Sequence, residues 1–178
     1  GIATYSQFLV DAMRPMVGSL RLFAEHGQDI GADGPEVVRC WRRGRPLSGL
    51  ADAIRAYAPD ICFIQHEYGI FPNAFHYLRL LEALHEIPHA VVMHSVYEHQ
   101  DKAVCTAATR HVVTHSPVGA DYLRGRVKNV HLIPHGCVRK PTEELWNIFQ
   151  SPYTIVQFGF GFKYKGMDRA VRAVHRLK

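Results

Sequence analysis

The chain has 178 residues, a net charge of +5 and a sequence pI of about 9.1, with 47% hydrophobic and 21% charged residues. This balance is typical of a soluble globular protein with one domain, or one domain and part of another, and no apolar run approaches the ~20 residues of a membrane span. Zinc-finger spacing, RNP-like aromatic motifs and helix-turn-helix patterns are missing from the sequence, so nucleic acid is not predicted as a partner.

The first predicted element is a helix over Ile2–Met13, because apolar residues repeat at helical spacing along one side of it. It follows Gly1 directly, and Pro15 and Gly18 interrupt the helix or its exit. Since a β-α-β fold begins with a strand, we expect a strand ahead of Gly1 and predict that the natural chain has further pieces.

Strand-like apolar runs then alternate with segments of helical period. The predicted strands are Glu36–Trp41, Asp60–Gln65, His89–His94, His111–Thr114, Asn129–Ile133 and Tyr153–Phe158. The predicted helices between them are Leu47–Tyr57, Ala74–His85, Tyr97–Ala107, Val118–Arg124 and Gly166–Leu177. This alternation predicts an α/β fold in which a Rossmann-like parallel sheet carries helices on both faces.

The predicted elements divide the chain into two domains and a linker. Residues 1–137 are predicted to form a Rossmann-like domain that lacks its first strand. Residues 138–150, with Pro141 inside the segment and Pro152 shortly after it, read as the linker. Residues 151–178 supply one strand and one helix, which are too few to bury a core. They predict the beginning of a second Rossmann-like domain, cut short.

The cysteines and the basic residues bear on location and partners. None of the four cysteines belongs to a C-x-x-C pair, so they are predicted to be reduced thiols of a cytoplasmic protein. Basic residues cluster at 41–45 and 163–178. This pattern fits either ordinary solvated surface or attraction to an anion, such as a phosphate ligand or, through a peripheral membrane contact, an acidic lipid surface.

Polar residues follow four of the predicted strands. These strand ends read Gln65-His66-Glu67-Tyr68-Gly69, Met93-His94-Ser95, Thr114-His115-Ser116 and Ile133-Pro134-His135-Gly136. Each histidine alone is readily explained as a satisfied residue at a strand end. Because the carboxyl ends of parallel strands meet at one edge of a sheet, the four together predict a polar cleft there.

Metal binding and nucleophilic catalysis are not predicted from these residues. His111 and His115 stand ~13 Å apart along an extended strand, too far to share an ion. The spacing from His94 to His99 is one residue too long for an H-x-x-E-H metal motif. Ser116 reads as the N-cap of a helix that Pro117 begins, rather than as a nucleophile.

Two glycine-containing turns fit a phosphate ligand. Gly1 opens a helix whose free N–H groups can hold an anion. Further on, Gly159 and Gly161 follow a predicted strand, and Lys165 adds a positive charge just before the next helix. The second turn does not match the Walker pattern, and glycine turns between strand and helix are common.

The order of these motifs resembles the retaining GT-B glycosyltransferases, specifically glycosyltransferase group 1 (family 4). The resemblance spans nearly the whole chain, from Gly-Ile-Ala-Thr-Tyr through the four strand ends to Lys165-Gly166. It implies two Rossmann-like domains facing each other across a cleft. A UDP- or GDP-sugar donor would lie mainly on the C-terminal domain, and a glycan, lipid-linked or small-molecule acceptor mainly on the N-terminal one.

The resemblance also implies roles for individual residues. His94 would be catalytic and touch the donor sugar near the reacting carbon. The donor phosphates would be bound by Gly1, Gly159, Gly161 and Lys165, with Lys165 neutralising the pyrophosphate. The acceptor side would carry His66, Glu67 and Tyr68, and the interdomain cleft His135 and Gly136. Neither a cofactor nor a metal is implied.

The chain departs from the family pattern at two points, and two alternatives stay open. Phe160 stands where many relatives have an arginine that binds pyrophosphate, and the family's E-x7-E segment would lie beyond Lys178. One alternative is a GT-B nucleotide-sugar epimerase, with Glu67 and Glu98 as acid and base. The other is a non-catalytic module that binds a nucleotide or a sugar.

Overall fold

The fold is taken from a computed structural model, which describes residues 1–27, 33–98, 100–101, 104–106, 108–136, 155 and 163–176. The chain divides into two compact units, residues 1–136 and 137–178. The predicted linker at 138–150, the predicted strand at 153–158 apart from residue 155, and Gly159, Phe160 and Gly161 lie outside the described residues.

The described part of the first unit contains six strands and four α-helices. The strands are β1 (Leu22–Glu25), β2 (Val37–Trp41), β3 (Cys62–His66), β4 (His89–Met93), β5 (His111–Thr114) and β6 (Asn129–Leu132). The helices are α1 (Ile2–Met13), followed by a 3₁₀ turn at Arg14–Met16, α2 (Ser48–Tyr57), α3 (Ala74–Ala83) and α4 (Pro117–Arg124). In the second unit, a 3₁₀ turn at Lys163–Lys165 precedes α5 (Met167–His175).

The strands form two parallel groups. Strands β3, β4, β5 and β6 pair in that order in a four-stranded parallel sheet, and β1 pairs in parallel with β2. The prediction of an α/β fold with a parallel sheet is confirmed. Every connection within the four-stranded sheet runs between parallel neighbours, so the carboxyl ends of all four strands lie at one edge.

The two faces of the four-stranded sheet have different surroundings. The inner face carries Ile64, Val91, Met93 and Val112, which belong to the same hydrophobic core as Leu81 of α3 and Leu123 of α4. Burying an aliphatic side chain of this size stabilises the fold by about 1.5–3 kcal/mol. His66, on the same face, is also buried. The outer face carries Phe63, which is 39% exposed, and Gln65.

Most predicted elements are found within one or two residues of their expected bounds, but β1 was missed and the helix predicted over Tyr97–Ala107 is wrong. The described residues of that segment form successive turns instead. The carbonyl of buried Asp101 accepts bonds from the N–H groups of Val104 (2.8 Å) and Cys105 (2.9 Å), and its carboxylate accepts from the Cys105 thiol. Tertiary burial of Asp101 therefore overrides the helical spacing of the sequence.

Other local predictions can be checked directly. The Ser116 hydroxyl accepts the N–H of Gly119 at 3.0 Å, so its predicted role as the N-cap of α4 is confirmed. Trp41, within the basic cluster at 41–45, is buried and stacks on Phe71. Cys40, Cys62 and Cys105 are free thiols. Among the described residues, no helix combines the length and apolar character that crossing a bilayer requires.

Candidate functional site

The register of the parallel strands sets two histidines side by side. Met93 of β4 pairs with Thr114 of β5. One further backbone hydrogen bond follows on each side: the N–H of His94 donates to the carbonyl of His66 (3.2 Å), and the N–H of Ile133 donates to the carbonyl of Thr114 (3.0 Å). His94 and His115, which follow Met93 and Thr114, therefore share the outer face, since side chains alternate along a strand.

Three imidazole rings and one phenol ring meet at this edge. We call His94, His115 and His135 the histidine cluster. Its ring centroids are separated by 5.1 Å for His94 and His115, 3.9 Å for His115 and His135, and 5.9 Å for His94 and His135. The ring of Tyr5, in the first turn of α1, lies 4.7 to 5.5 Å from each of the three.

Hydrogen bonds fix the tautomers of two members of the histidine cluster. Nε2 of His94 lies 2.9 Å from the amide oxygen of Gln65, and Nδ1 of His115 lies 2.7 Å from the carbonyl oxygen of Ile133. Because both oxygens only accept, His94 donates through Nε2–H and His115 through Nδ1–H. The opposite nitrogen of each ring keeps its lone pair.

Burial lowers the pKa of two members of the histidine cluster, His94 and His135. It is the main cause that lowers the pKa of His94 to about 4, followed by the neighbouring charges of His115 and His135 when they are protonated. Burial, then His115, also lowers the pKa of His135, and burial raises the pKa of the Tyr5 hydroxyl. At neutral pH His94 is therefore an uncharged imidazole, which can accept a hydrogen bond or bind a metal through its lone pair.

His66 occupies a different environment from the one that its predicted acceptor-side role requires. It is 2% exposed and its ring packs against Tyr68, Phe71 and Tyr77, with centroids 4.8 to 5.8 Å apart. Burial, and secondarily His94, lowers its pKa to about 4. The structure places this side chain in the core behind the inner face, whereas contact with an acceptor needs an accessible ring.

The other two predicted acceptor-side residues lie in the turn after β3. The carbonyl of Glu67 accepts the N–H groups of Ile70 (2.9 Å) and Phe71 (3.0 Å), which fixes the turn. The Tyr68 hydroxyl accepts the N–H of Tyr97 at 3.5 Å, and the two tyrosine rings are 5.4 Å apart. Both residues are partly buried, and their acceptor role stays a prediction.

The predicted phosphate-binding residues are divided between the two units. Gly1 is the N-cap of α1, and its carbonyl accepts the N–H of Tyr5 at 3.0 Å, so the start of α1 lies at the histidine cluster. Gly136, which was predicted for the interdomain cleft and not for phosphate binding, is exposed and directly follows His135. In the second unit, Lys165 is exposed and precedes Gly166, whose φ of 70° favours glycine as the N-cap of α5.

The grouping of the three histidines was missed from the sequence. One ring nitrogen from each of His94, His115 and His135 lies within 4.8 Å of one from each of the other two, a grouping compatible with a metal site. Histidine pairs within one segment of the chain do not reveal this grouping, because its three members follow three neighbouring strands. The available signal was the position of His94 and His115 immediately after adjacent parallel strands.

A surface cavity of about 420 Å³ lies at the opposite edge of the sheet. It is lined equally by apolar residues, among them Ile61, Phe63 and Pro88, and by polar or charged ones, among them His111 and His131. Ligands of open parallel sheets bind beyond the carboxyl ends of the strands. We therefore assign the candidate site to the histidine cluster and its surroundings.

Compared with known proteins, the chain matches no protein-family model, no curated protein and no solved structure at a significant level. The function of the protein is therefore inferred from the geometry of the site and from the motifs of the sequence.

Proposed function

We propose that this protein is a retaining glycosyltransferase of the GT-B type, which moves a sugar from a nucleotide-sugar donor to a glycan, lipid-linked or small-molecule acceptor. One observation carries the proposal. The first turn of α1, which begins at Gly1, lies against His94 at the carboxyl edge of a parallel sheet, through the 4.7 Å contact between the rings of Tyr5 and His94.

This arrangement suits a ligand that carries a phosphate next to a sugar. The free N–H groups and the dipole of a helix N-terminus favour an anion. His94 beside it is a neutral ring that its bond to Gln65 holds in one orientation. A nucleotide sugar presents a pyrophosphate and a reacting sugar carbon a few bonds apart, so both groups would find a partner here.

The grouping of the strands also supports the proposal. In a doubly wound sheet of order 3-2-1-4-5-6, the first strand separates the second and third from the fourth. The separation of the β1–β2 pair from the sheet of β3 to β6 is compatible with that order.

The proposed reaction needs no protein nucleophile. The acceptor hydroxyl attacks the sugar carbon on the face that the nucleoside diphosphate leaves, the bond to the phosphate oxygen breaks, and the acceptor proton passes to that oxygen. Negative charge then builds on the leaving phosphate, where helix N-termini and a lysine stabilise it. The family resemblance gives this lysine role to Lys165 and a contact with the donor sugar near the reacting carbon to His94.

The test is nucleoside diphosphate release from a panel of UDP- and GDP-sugars, with and without sugar acceptors. Loss of a single stabilising group from such a site costs about 10²–10³ in kcat. We therefore expect His94→Ala and Lys165→Ala each to lose about that much acceptor-stimulated release, and His85→Ala, at an exposed histidine, to lose none.

Two outcomes would overturn the proposal. Normal turnover in both the His94 and Lys165 variants would remove the roles assigned to these residues. Binding of a nucleotide sugar without turnover would favour the non-catalytic binding module. A denaturation midpoint like that of the wild-type protein is the control that each variant remains folded.

A further inference from the structure

We propose that the histidine cluster of His94, His115 and His135 binds one divalent transition-metal ion of the zinc class. The proposal depends on the geometry of the first unit alone and does not rest on the proposed function. The sequence did not predict this metal site, and the proposed glycosyl transfer does not require a metal ion there.

The spacing of the rings is close to that of a metal site. One nitrogen from each ring lies within 4.8 Å of one from each other ring. A tetrahedral ion with metal–nitrogen distances of about 2.0–2.1 Å sets its ligand nitrogens about 3.4 Å apart. Side-chain rotations that move each nitrogen by about an ångström would therefore complete the geometry without a change in the backbone.

The rings already have the hydrogen bonds that metal-binding histidines make. A ligating histidine donates its other ring N–H to a carbonyl or carboxylate oxygen, which orients the ring. His94 donates through Nε2 to Gln65, and His115 donates through Nδ1 to the carbonyl of Ile133. These bonds leave Nδ1 of His94 and Nε2 of His115 with lone pairs that can bind a metal ion.

One of these atoms lacks a partner in the protein. Nε2 of His115 is buried, and no described residue offers it a hydrogen bond. A buried polar atom left in this state is unfavourable, because it has lost its hydrogen bonds to water without replacement. A metal ion held between the rings would satisfy this lone pair together with the one on His94.

The ligand set defines the class of metal. Three imidazole ligands suit Zn²⁺, and also Co²⁺, Ni²⁺ and Cu²⁺, whereas Mg²⁺ and Ca²⁺ prefer oxygen ligands. Three histidines leave the fourth tetrahedral position open for water or another small ligand. The exposed side of His135 gives that position access to solvent.

The chain contains an internal comparison for this site. His111 and His131 stack at the opposite edge of the sheet, with Nδ1 of His111 3.2 Å from Nε2 of His131. This pair offers two imidazoles at an exposed position, and among the described residues it does not belong to a group of three side chains close enough to share a metal ion. Its removal should leave the proposed site intact.

The experiment is a titration of the metal-free full chain with ZnCl₂, followed by calorimetry, and with Co²⁺, followed by visible absorption. We expect one tight site with the intense absorption of tetrahedral Co²⁺. Loss of an outer-shell partner alone typically weakens metal binding by about 10–100-fold. His135→Ala and His115→Ala should therefore weaken it by more than about 100-fold, and Gln65→Leu by about 10-fold.

His111→Ala should bind Zn²⁺ as the wild-type chain does. The proposal is overturned if His135→Ala retains the wild-type affinity, or if His111→Ala, rather than His135→Ala, loses the tight site. His135 is exposed, so its replacement keeps the test valid even if His115→Ala does not fold. No sugar donor is present, so either result leaves the proposed glycosyl transfer to be judged separately.

Discussion

His66 and His94 make the most informative comparison in this protein. They lie at the carboxyl ends of neighbouring strands, and the N–H of His94 donates to the carbonyl of His66. Burial is the main cause that lowers the pKa of each to about 4. The rings nevertheless point to opposite faces of the sheet, His66 into the aromatic core and His94 into the histidine cluster.

The difference shows that a shifted pKa does not by itself identify a functional residue. Strongly perturbed groups occur at active sites, but also in ordinary cores. His66 is surrounded by the rings of Tyr68, Phe71 and Tyr77, which leave no room for a ligand. His94 meets two other imidazoles and an amide, all of which can take part in ligand binding.

The largest expected effect separates the two regions by stability. Tyr77 is 1% exposed and packs on His66, so we expect Tyr77→Ala to lower the free energy of unfolding by about 3–5 kcal/mol. His135→Ala, in the histidine cluster, should change it by no more than about 0.5 kcal/mol, because that residue is exposed. Urea denaturation of both variants measures the contrast, and equal losses would contradict the division into core and site.

A smaller change in the same core should have the opposite sign. The Tyr77 hydroxyl is buried, and no described residue offers it a hydrogen bond. Removing a buried group in this state relieves part of its desolvation cost. We therefore expect Tyr77→Phe to raise the free energy of unfolding by about 1 kcal/mol in the same urea experiment. A decrease would show that the hydroxyl has a partner, such as a bound water.

The alternation of the sequence was enough to predict the parallel sheet and its polar edge. Strands β4 and β5 are short apolar runs between helical segments, and their bounds differ from the prediction by one residue at most. Strand β1 escaped notice because it has four residues, all only partly buried. The segment after His94 was predicted as a helix because spacing alone does not reveal the burial of Asp101.

The site was harder to predict because it depends on which face each strand end presents. A shift of one residue in a strand moves a side chain to the opposite face. The predicted strands end at Gln65 and His94, whereas the strands of the structure end at His66 and Met93. His66 is therefore the last residue of β3, and its side chain lies on the inner face instead of in the predicted cleft. The position of His135 depends on the chain after β6, which has no periodic signal.

We propose that the outer-face histidines, and not His66, form the functional centre. Side-chain NMR of the histidines during a Zn²⁺ titration is the most direct test of this proposal. The account predicts that the imidazole signals of His94, His115 and His135 shift together and saturate at one Zn²⁺ per chain. The signal of His66 should stay in place, because its ring lies on the inner face. The account is contradicted if His66 shifts with them, or if only His111 and His131 respond.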